Sequence, residues 1–261
     1  MTYETLDLRM DEGTLLITLD RPDVHNAMNE TMLNELVDCF KRYGDDPEVR
    51  AVVITGSGSS FSAGADLNWM RGMVDYTLEE NVRDSSVLSA LYDYMYYFPK
   101  PLIARVNGHA FGGGVGLIAV CDVVISVPDA LFAFSEIKLG IIPSVISTYV
   151  VERIGVANMK RLFITGERFD PVHGKEIGLI DRVVPEEDLD GEVEKVIGIL
   201  NSSAPNAVKE VKDLIKRYHE MPPEDYKRFT VEKISELRVS QEGQEGISAF
   251  LEKRKPYWRG S

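Results

Sequence analysis

Two glycine-rich loops carry the backbone groups best suited to chemistry in this sequence. Residues 56–66 follow the apolar run 51–55, and residues 107–114 follow the apolar run 102–106. Each loop leads into residues typical of a helix. Glycine inside a helix costs about 1 kcal/mol relative to alanine, so glycines gathered at such a junction indicate that bare backbone is needed there. Unpaired N–H groups at the start of a helix bind anionic groups, which makes both loops candidate ligand sites.

Several interpretations of the loops compete with one another. Tight packing of a helix against a strand would be enough to explain one glycine-rich loop. Two such loops in one chain favour a functional role over a purely structural one. A P-loop does not fit because the pattern GxxxxGK[ST] is absent. A dinucleotide site would use Glu136 as its ribose-binding acid, yet Leu117 stands where the third glycine of GxGxxG belongs. The best fit is an oxyanion hole, in which one N–H from each loop donates to the same oxygen.

The composition limits the partners that we expect. The formal net charge of −13 disfavours nucleic acid and anionic membranes, because phosphate groups attract lysine and arginine. The sequence has no run of about 18 apolar residues and no visible secretory signal. Cys39 and Cys121 form no CxxC pair, which is typical of free thiols in a reducing cytosol, and the histidines show no metal-ligand spacing. We therefore expect a cytoplasmic protein without a metal site.

Alternating strands and helices are predicted around the loops, as in an α/β protein. Nearly continuous helix is predicted from Glu186 onward, with breaks at Pro205 and at Pro222. Strands are predicted at 3–9, 14–20, 51–55, 102–106, 123–127, 131–134 and 180–184. Helices are predicted at 30–43, from about 67, at 79–97, from the second glycine cluster to about 120, at 145–154 and at 156–163.

Five segments match the pattern of a known family and occur in its order. They are ITLDRPDVHNAMN (17–29), FSAGADL (61–67), NGHAFGGG (107–114), FSEIKLGIIP (134–143) and EKRKPYW (252–258). Together they resemble the crotonase family of enoyl-CoA hydratases and isomerases, over nearly the whole chain. The resemblance implies a crotonase-like spiral of ββα units over residues 1–200. It also implies a C-terminal helical trimerisation region over residues 201–261.

The resemblance implies an acyl-CoA thioester as substrate. It places the two oxyanion donors on the backbone N–H groups of Ala65 and Gly113, and the catalytic carboxylate on Glu136. An enolate held by two N–H donors needs a group that moves the α-proton, which is the role expected of that carboxylate. No cofactor is implied, since CoA is part of the substrate, and trimers or hexamers are typical of the family. Contacts with CoA are implied for Val24, His25, Ala63, Gly64, Asp66 and Leu67.

Gly116 is the main departure from the family pattern. Family hydratases commonly carry a second glutamate at this place, whereas isomerases often keep only the one that matches Glu136. The glycine cluster and residues 134–147 most resemble bacterial methylglutaconyl-CoA hydratases of leucine degradation, which also tend to lack the earlier glutamate. We therefore predict a hydratase of a 2-enoyl-CoA such as 3-methylglutaconyl-CoA. The alternatives are an enoyl-CoA isomerase with Glu136 as sole proton shuttle and a CoA-binding protein with little activity.

Other polar residues near these motifs are given structural interpretations. His109 fits a structural role at least as well as a place in the site, and Asp122 is predicted to order the backbone at the end of a helix. Ser144 and Ser147 are predicted to cap the helix at 145–154. Tyr92 belongs to a tyrosine-rich segment for which a packed helix face is expected.

Overall fold

The computed structural model describes residues 2–259, and Met1, Gly260 and Ser261 at the ends of the two predicted regions lie outside it. Two β-sheets form the centre of the described chain, and helices cover them. The strands are β1 (Leu6–Asp11), β2 (Thr14–Leu19), β3 (Ala51–Gly56), β4 (Ser60–Ser62), β5 (Leu102–Val106), β6 (His109–Phe111), β7 (Val123–Ser126), β8 (Phe132–Ala133) and β9 (Arg182–Val183). The α-helices are α1 (Glu30–Gly44), α2 (Leu67–Met73), α3 (Leu78–Tyr96), α4 (Gly113–Ala119), α5 (Ser144–Thr165), α6 (Pro171–Glu176), α7 (Glu186–Asn201), α8 (Pro205–Glu220), α9 (Pro223–Val239) and α10 (Gln241–Leu251).

A β-hairpin begins the fold and is formed by the first two predicted strands. β1 pairs antiparallel with β2, with Asp11 opposite Thr14. Glu12 and Gly13 form the two-residue turn with φ of 43° and 80°. Positive φ at both turn residues gives the backbone twist that suits a hairpin, and glycine adopts it without a steric penalty.

The chain then winds as a spiral that gives one strand to each sheet in every turn. The six-stranded sheet has the order β1-β2-β3-β5-β7-β9, and the three-stranded sheet has the order β4-β6-β8. Thus β3, β5 and β7 join the large sheet, each is followed directly by a strand of the small sheet, and helices come next. Every pairing after the hairpin is parallel among the named strands. This is the predicted α/β spiral of ββα units.

The core lies between the large sheet and the helices that cover it. β3 is buried at all six positions, as expected for a parallel strand with both faces covered. Helix α1 buries one apolar face that includes Leu33, Leu36 and Phe40. The side chain of Asn29 accepts a hydrogen bond from the Met32 N–H and so caps its start.

The helix after Glu136 differs from the prediction in two respects. The two helices predicted at 145–154 and 156–163 form one element, α5, which is kinked at Gly155 with φ 73° and ψ 161°. The predicted cap by Ser144 and Ser147 is wrong. Ser144 is already helical and no side chain caps the helix, while the Ser147 hydroxyl donates to the Ser144 carbonyl at 2.5 Å. Helix α6 and the strands β4 and β6 were not predicted from the sequence, whereas β8 lies within the strand predicted at 131–134.

Four helices, α7 to α10, follow β9 and confirm the helical character predicted from Glu186 onward. The Arg50 guanidinium fastens this region to the core, since it donates to the carbonyls of Asn201, Ser203 and Trp258. Helices α8 and α9 bury no residue, and α10 buries Ala249. The boundary between residues 200 and 201 stays a prediction. Among the described helices, none combines the length and the apolar character that a membrane crossing requires.

Candidate active site

Three short parallel strands end side by side, and each leads to one of the residues predicted to react. β4, β6 and β8 pair in parallel in that order. Because the carboxyl ends of parallel strands lie at one edge of a sheet, the segments that follow them start close together. Ala65, Gly113 and Glu136 come two or three residues after the ends of β4, β6 and β8. The small sheet therefore gathers the three predicted residues.

The N–H of Ala65 is available at the end of the first loop. Met28 bridges this loop, since its N–H donates to the Gly64 carbonyl at 2.6 Å and its carbonyl accepts from the Asp66 N–H at 2.9 Å. Both bonds use neighbours of Ala65, so the N–H of Ala65 points away from Met28. Within residues 2–259 this N–H has no acceptor, and Ala65 is exposed.

The N–H of Gly113 is available at the start of α4. The carbonyl of Gly112 accepts from the N–H groups of Val115 and Gly116 at 2.9 and 3.3 Å, which closes the first turn. The N–H of Gly113 finds no acceptor in the described part of the chain. It is one of the unsatisfied donors that every helix start presents.

The two loops touch through bare backbone. A Cβ on Gly64 would stand 2.6 Å from the carbonyl oxygen of Phe111 and 3.6 Å from the nitrogen of Gly113. Gly64 also has φ of 87°, which side chains rarely allow. Only glycine lets the loops lie this close, so the two candidate donors belong to adjacent backbone segments.

The carboxylate of Glu136 lies over the second loop. Glu136 belongs to a 3-10 helix, Ser135–Leu139, directly after β8. Its Oε1 is 2.9 Å from the position that a Cβ on Gly112 would take. Its Oε2 is shielded from solvent and has no hydrogen-bond partner among the described residues. Burial raises the pKa of the Glu136 carboxyl above its ordinary value. A half-buried carboxylate with one shielded, unpartnered oxygen and a raised pKa is suited to accept and return a proton.

Asn26 holds the first loop in place, and sequence reasoning did not single it out. Its side-chain amide donates to the carbonyls of Ser57 and Ser60, both at 2.8 Å, and its side-chain oxygen accepts from the Arg21 N–H. Its own carbonyl accepts from the Ser62 hydroxyl. Asn26 is completely buried. The sequence around Asn26 carries no local signal of this role, since its partners lie about 30 residues further along the chain.

A buried ion pair supports the end of the same loop. Asp66 accepts from the N–H groups of Asn68 and Trp69 at the start of α2, and its other oxygen lies 2.8 Å from the Arg21 guanidinium. The carboxylate is nearly inaccessible, with 4% of its side chain exposed. Burial by itself would raise the pKa of Asp66, but Arg21 and the two N–H donors hold it below its ordinary value. The side chain of Asp66 is therefore engaged inside the protein.

The six residues with predicted CoA contacts surround the first loop but differ in exposure. Val24, His25 and Leu67 are exposed, Ala63 is half-buried, and Gly64 and Asp66 are buried. His25 has φ of 53°, and its Nδ1 lies 3.1 Å from the Ser60 hydroxyl. The exposed members lie at the outer rim of the loop.

Comparison with known proteins agrees with this geometry. Residues 9–261 match the family model described as enoyl-CoA hydratase/isomerase. The chain belongs to the enoyl-CoA hydratase/isomerase family. The crotonyl-CoA hydratase of Syntrophomonas wolfei is 33% identical, with 98% of each chain covered. The carnitinyl-CoA dehydratase of Citrobacter koseri is 32% identical, with 98% of this chain and 99% of the relative covered. The crystal structure of an enoyl-CoA hydratase from Shewanella pealeana is 38% identical and superimposes with a TM-score of 0.94, covering 98% of this chain and 96% of that one.

Gly116 leaves no room for a second glutamate in this family member. A Cβ at this position would stand 2.4 Å from Cγ2 of Ile146 and 2.9 Å from both Cζ and the hydroxyl oxygen of Tyr92. Real Cβ atoms essentially never approach other atoms below 3.0 Å. The side chains of Ile146 and Tyr92 therefore fill the space in which a glutamate at position 116 would begin.

His109 and Asp122 contribute to the backbone rather than to the site. The His109 Nδ1 accepts from the Leu131 N–H at 3.0 Å. Asp122 accepts from the Leu102 N–H at 2.7 Å and pairs with Lys212. The structural interpretation is confirmed for Asp122 and fits His109.

A separate cavity of about 420 Å³ lies at the other end of α4, where Cys121, Tyr149 and Arg153 contribute to its lining. None of the predicted site residues lines it. Residues 2–259 also contain no group of three or more side chains placed to hold a metal ion.

Proposed function

We propose that this enzyme adds water across the double bond of a 2-enoyl-CoA thioester. The backbone N–H groups of Ala65 and Gly113 hold the thioester oxygen, and Glu136 moves the proton at the α-carbon. One observation supports the proposal above all. The unpaired N–H groups of Ala65 and Gly113 and the carboxylate of Glu136 lie in the segments that follow the three neighbouring strands of the small sheet. Membership of the family supports the same chemistry.

Each group has a physical reason for its role. When the thioester becomes an enolate, negative charge gathers on its oxygen, and two donors fixed in place stabilise that charge without reorganising. One such donor typically contributes ~10²–10³ in rate. A carboxylate with a raised pKa exchanges protons near neutral pH more readily than an exposed one. This proton chemistry needs no metal or redox cofactor.

The CoA portion is proposed to lie along the first loop. The candidate contacts are Val24, His25, Ala63, Gly64, Asp66 and Leu67. Exposed Val24, His25 and Leu67 would meet CoA directly, whereas buried Asp66 would act by holding the loop through Arg21.

Water activation must proceed without a carboxylate at position 116. The Ser147 hydroxyl donates within α5, which leaves the exposed Ser144 hydroxyl or a carboxylate on the substrate itself. A substrate of the 3-methylglutaconyl type carries such a carboxylate. We propose that it is hydrated much faster than crotonyl-CoA, and its breakdown would place the enzyme in leucine degradation.

Double-bond isomerisation is the second candidate function, and the filled space around Gly116 favours it. An isomerase moves one proton within the substrate and activates no water. Glu136 alone would then serve as the shuttle between the two carbon positions.

A panel of enoyl-CoA thioesters incubated in D₂O tests these functions together. A hydratase yields products that gain the mass of one water. An isomerase interconverts 3-enoyl and 2-enoyl thioesters and incorporates deuterium without that gain. Glu136→Gln is expected to lose either activity by ~10²–10⁴-fold, and Glu167→Gln on an exposed position is the control. A wild-type protein that binds CoA but exchanges no α-proton would be a CoA-binding protein with little activity.

A homotrimer or homohexamer in the cytoplasm is proposed as the working form. Helices α8 to α10 present large apolar side chains to solvent, as an association surface would. They include Val211, Ile215, Val231, Ile234, Val239, Ile247, Phe250 and Leu251. The acidic chain is proposed to have neither nucleic acid nor a membrane as a partner.

A further inference from the structure

Tyr92 is the buried aromatic residue that occupies the space beside Gly116. It lies on α3 and is completely buried. Its hydroxyl oxygen lies 2.9 Å from the Cβ position of Gly116 and 3.0 Å from that of Gly113. The phenol therefore lies against both α4 glycines, where any added side chain would meet it.

The Tyr92 hydroxyl makes one directed bond at the site, to the carbonyl oxygen of Gly113 at 2.8 Å. Gly113 lies between Gly112 and Gly114, so no Cβ restricts the backbone on either side. Within residues 2–259, Tyr92 is the residue whose side chain hydrogen-bonds to the run 112–114. The hydrogen bond from Tyr92 therefore orients the Gly113 backbone, which has no side chains on either side to restrict it.

The phenol stays a donor under all ordinary conditions. Burial raises the pKa of Tyr92 far above its usual range, and the nearby negative charge of Glu136 adds to this effect. An ionised phenolate could not donate to a carbonyl, whereas a neutral phenol can.

We propose that Tyr92 is a positioning residue. Its bond to the Gly113 carbonyl holds the peptide group between Gly113 and Gly114, and this restrains the φ and ψ of Gly113 so that its N–H, in the preceding peptide group, faces the substrate oxygen. This inference rests on the proposed function, in which Gly113 is an oxyanion donor. Tyr92 is inaccessible to solvent, so in this proposal it acts through the backbone. The expected consequence is a loss of enolate stabilisation with little change in CoA binding.

Tyr92→Phe removes the hydroxyl and keeps the ring in its space. Tyr96→Phe is the matched control, because Tyr96 lies on the same helix and donates to Glu152 instead. The probe is acetoacetyl-CoA, whose β-keto thioester ionises to an enolate with its own ultraviolet absorbance. The apparent pKa of the bound probe reports how strongly the site stabilises the enolate oxygen.

The Tyr92→Phe variant is expected to ionise bound acetoacetyl-CoA about tenfold less readily than wild type, an effect typical of one hydrogen bond. The dissociation constant for CoA and the behaviour of Tyr96→Phe are expected to stay unchanged. A Tyr92→Phe variant that ionises the probe as wild type does would overturn the inference and leave the proposed function intact. A wild-type protein that does not promote ionisation at all would overturn both.

Discussion

The carboxylate of Glu136 lies directly against the backbone of Gly112. Its Oε1 is 2.9 Å, and its carboxyl carbon 3.3 Å, from the position that a Cβ on Gly112 would take. Gly112 also has φ of 51°, a conformation that disfavours every other residue. One glycine thus sets both the turn into α4 and the closeness of the acid to Gly113.

Gly112→Ala is expected to reduce turnover by ~10² because the new methyl group displaces the carboxylate by an appreciable fraction of an ångström. Positive φ should also cost roughly 1–2 kcal/mol of stability. Turnover and urea unfolding measure the two effects. Gly191→Ala on α7 is the control, since its Cβ meets nothing within 4 Å. Full activity in a folded Gly112→Ala variant would show that Glu136 does not depend on this contact.

Glu136→Gln is expected to change how stability depends on pH. Since burial raises the pKa of Glu136 in the folded state, the folded protein binds more protons than the unfolded chain between the two pKa values. Stability from this group is therefore complete below the unfolded pKa and is lost as the pH rises through the folded pKa. Glutamine does not ionise, so the variant does not lose this stability as the pH rises. The melting temperature of the variant, relative to that of wild type, should therefore increase from acidic to neutral pH.

Thermal melting across that pH range checks this expectation, with Glu79→Gln at an exposed position of α3 as the control. Parallel curves for wild type and Glu136→Gln would mean that the carboxylate is solvated in the folded protein. Such a result would remove the physical basis for its role as a proton carrier at neutral pH.

The large sheet was predictable because its strands are apolar runs that stay buried. β3, for example, is buried at every position. In the small sheet, β8 falls within the strand predicted at 131–134, but β4 and β6 were not predicted, because each has three residues. Strands this short carry no periodicity, and they form only when the spiral brings them together.

The residues that we propose to react were singled out from the sequence, but several residues that hold them in place were not. Glu136, Ala65 and Gly113 lie in segments whose sequence resembles the family. Asn26 and Tyr92 bond to partners 34 and 21 residues away in the chain. No local pattern predicts such partners, since the fold alone decides which backbone groups meet a buried side chain.

Arg21→Met is expected to destabilise the protein by about 3–5 kcal/mol, because it leaves the buried Asp66 carboxylate without its partner. The double variant Arg21→Met/Asp66→Asn should recover part of the loss, since an asparagine still caps α2. Urea unfolding measures both. Arg9→Ala breaks an exposed pair with Asp11 and is expected to change little. A loss in Arg21→Met no larger than in Arg9→Ala would mean that Asp66 is solvated.

Sedimentation is expected to give three or six chains per particle at micromolar concentration. Phe250 on α10 is 83% exposed in the single chain, and Phe250→Asp should shift the particle toward smaller species by placing a charge in an apolar contact. Val172→Asp on α6, at an exposed apolar position outside the C-terminal helices, is the control. A monodisperse wild-type monomer would contradict the role proposed for these helices.

Comparison of Gly113→Pro with Gly113→Ala tests whether the Gly113 N–H is the second oxyanion donor, as we propose. Both variants place a Cβ 2.6 Å from the Met28 Cε and 3.0 Å from the Tyr92 hydroxyl, so they share the crowding at this one atom. Proline fits the first position of a helix such as α4, and it differs from alanine because its ring carbon Cδ replaces the hydrogen of the N–H.

Turnover of Gly113→Pro is therefore expected to fall ~10²–10³ below that of Gly113→Ala, with similar circular dichroism spectra and melting temperatures. Steady-state rates on the best enoyl-CoA substrate measure the ratio, which cancels the packing cost that the variants share. Equal turnover in the two folded variants would remove the Gly113 N–H from the oxyanion hole. The enolate would then depend on Ala65 and on another donor at the edge of the small sheet.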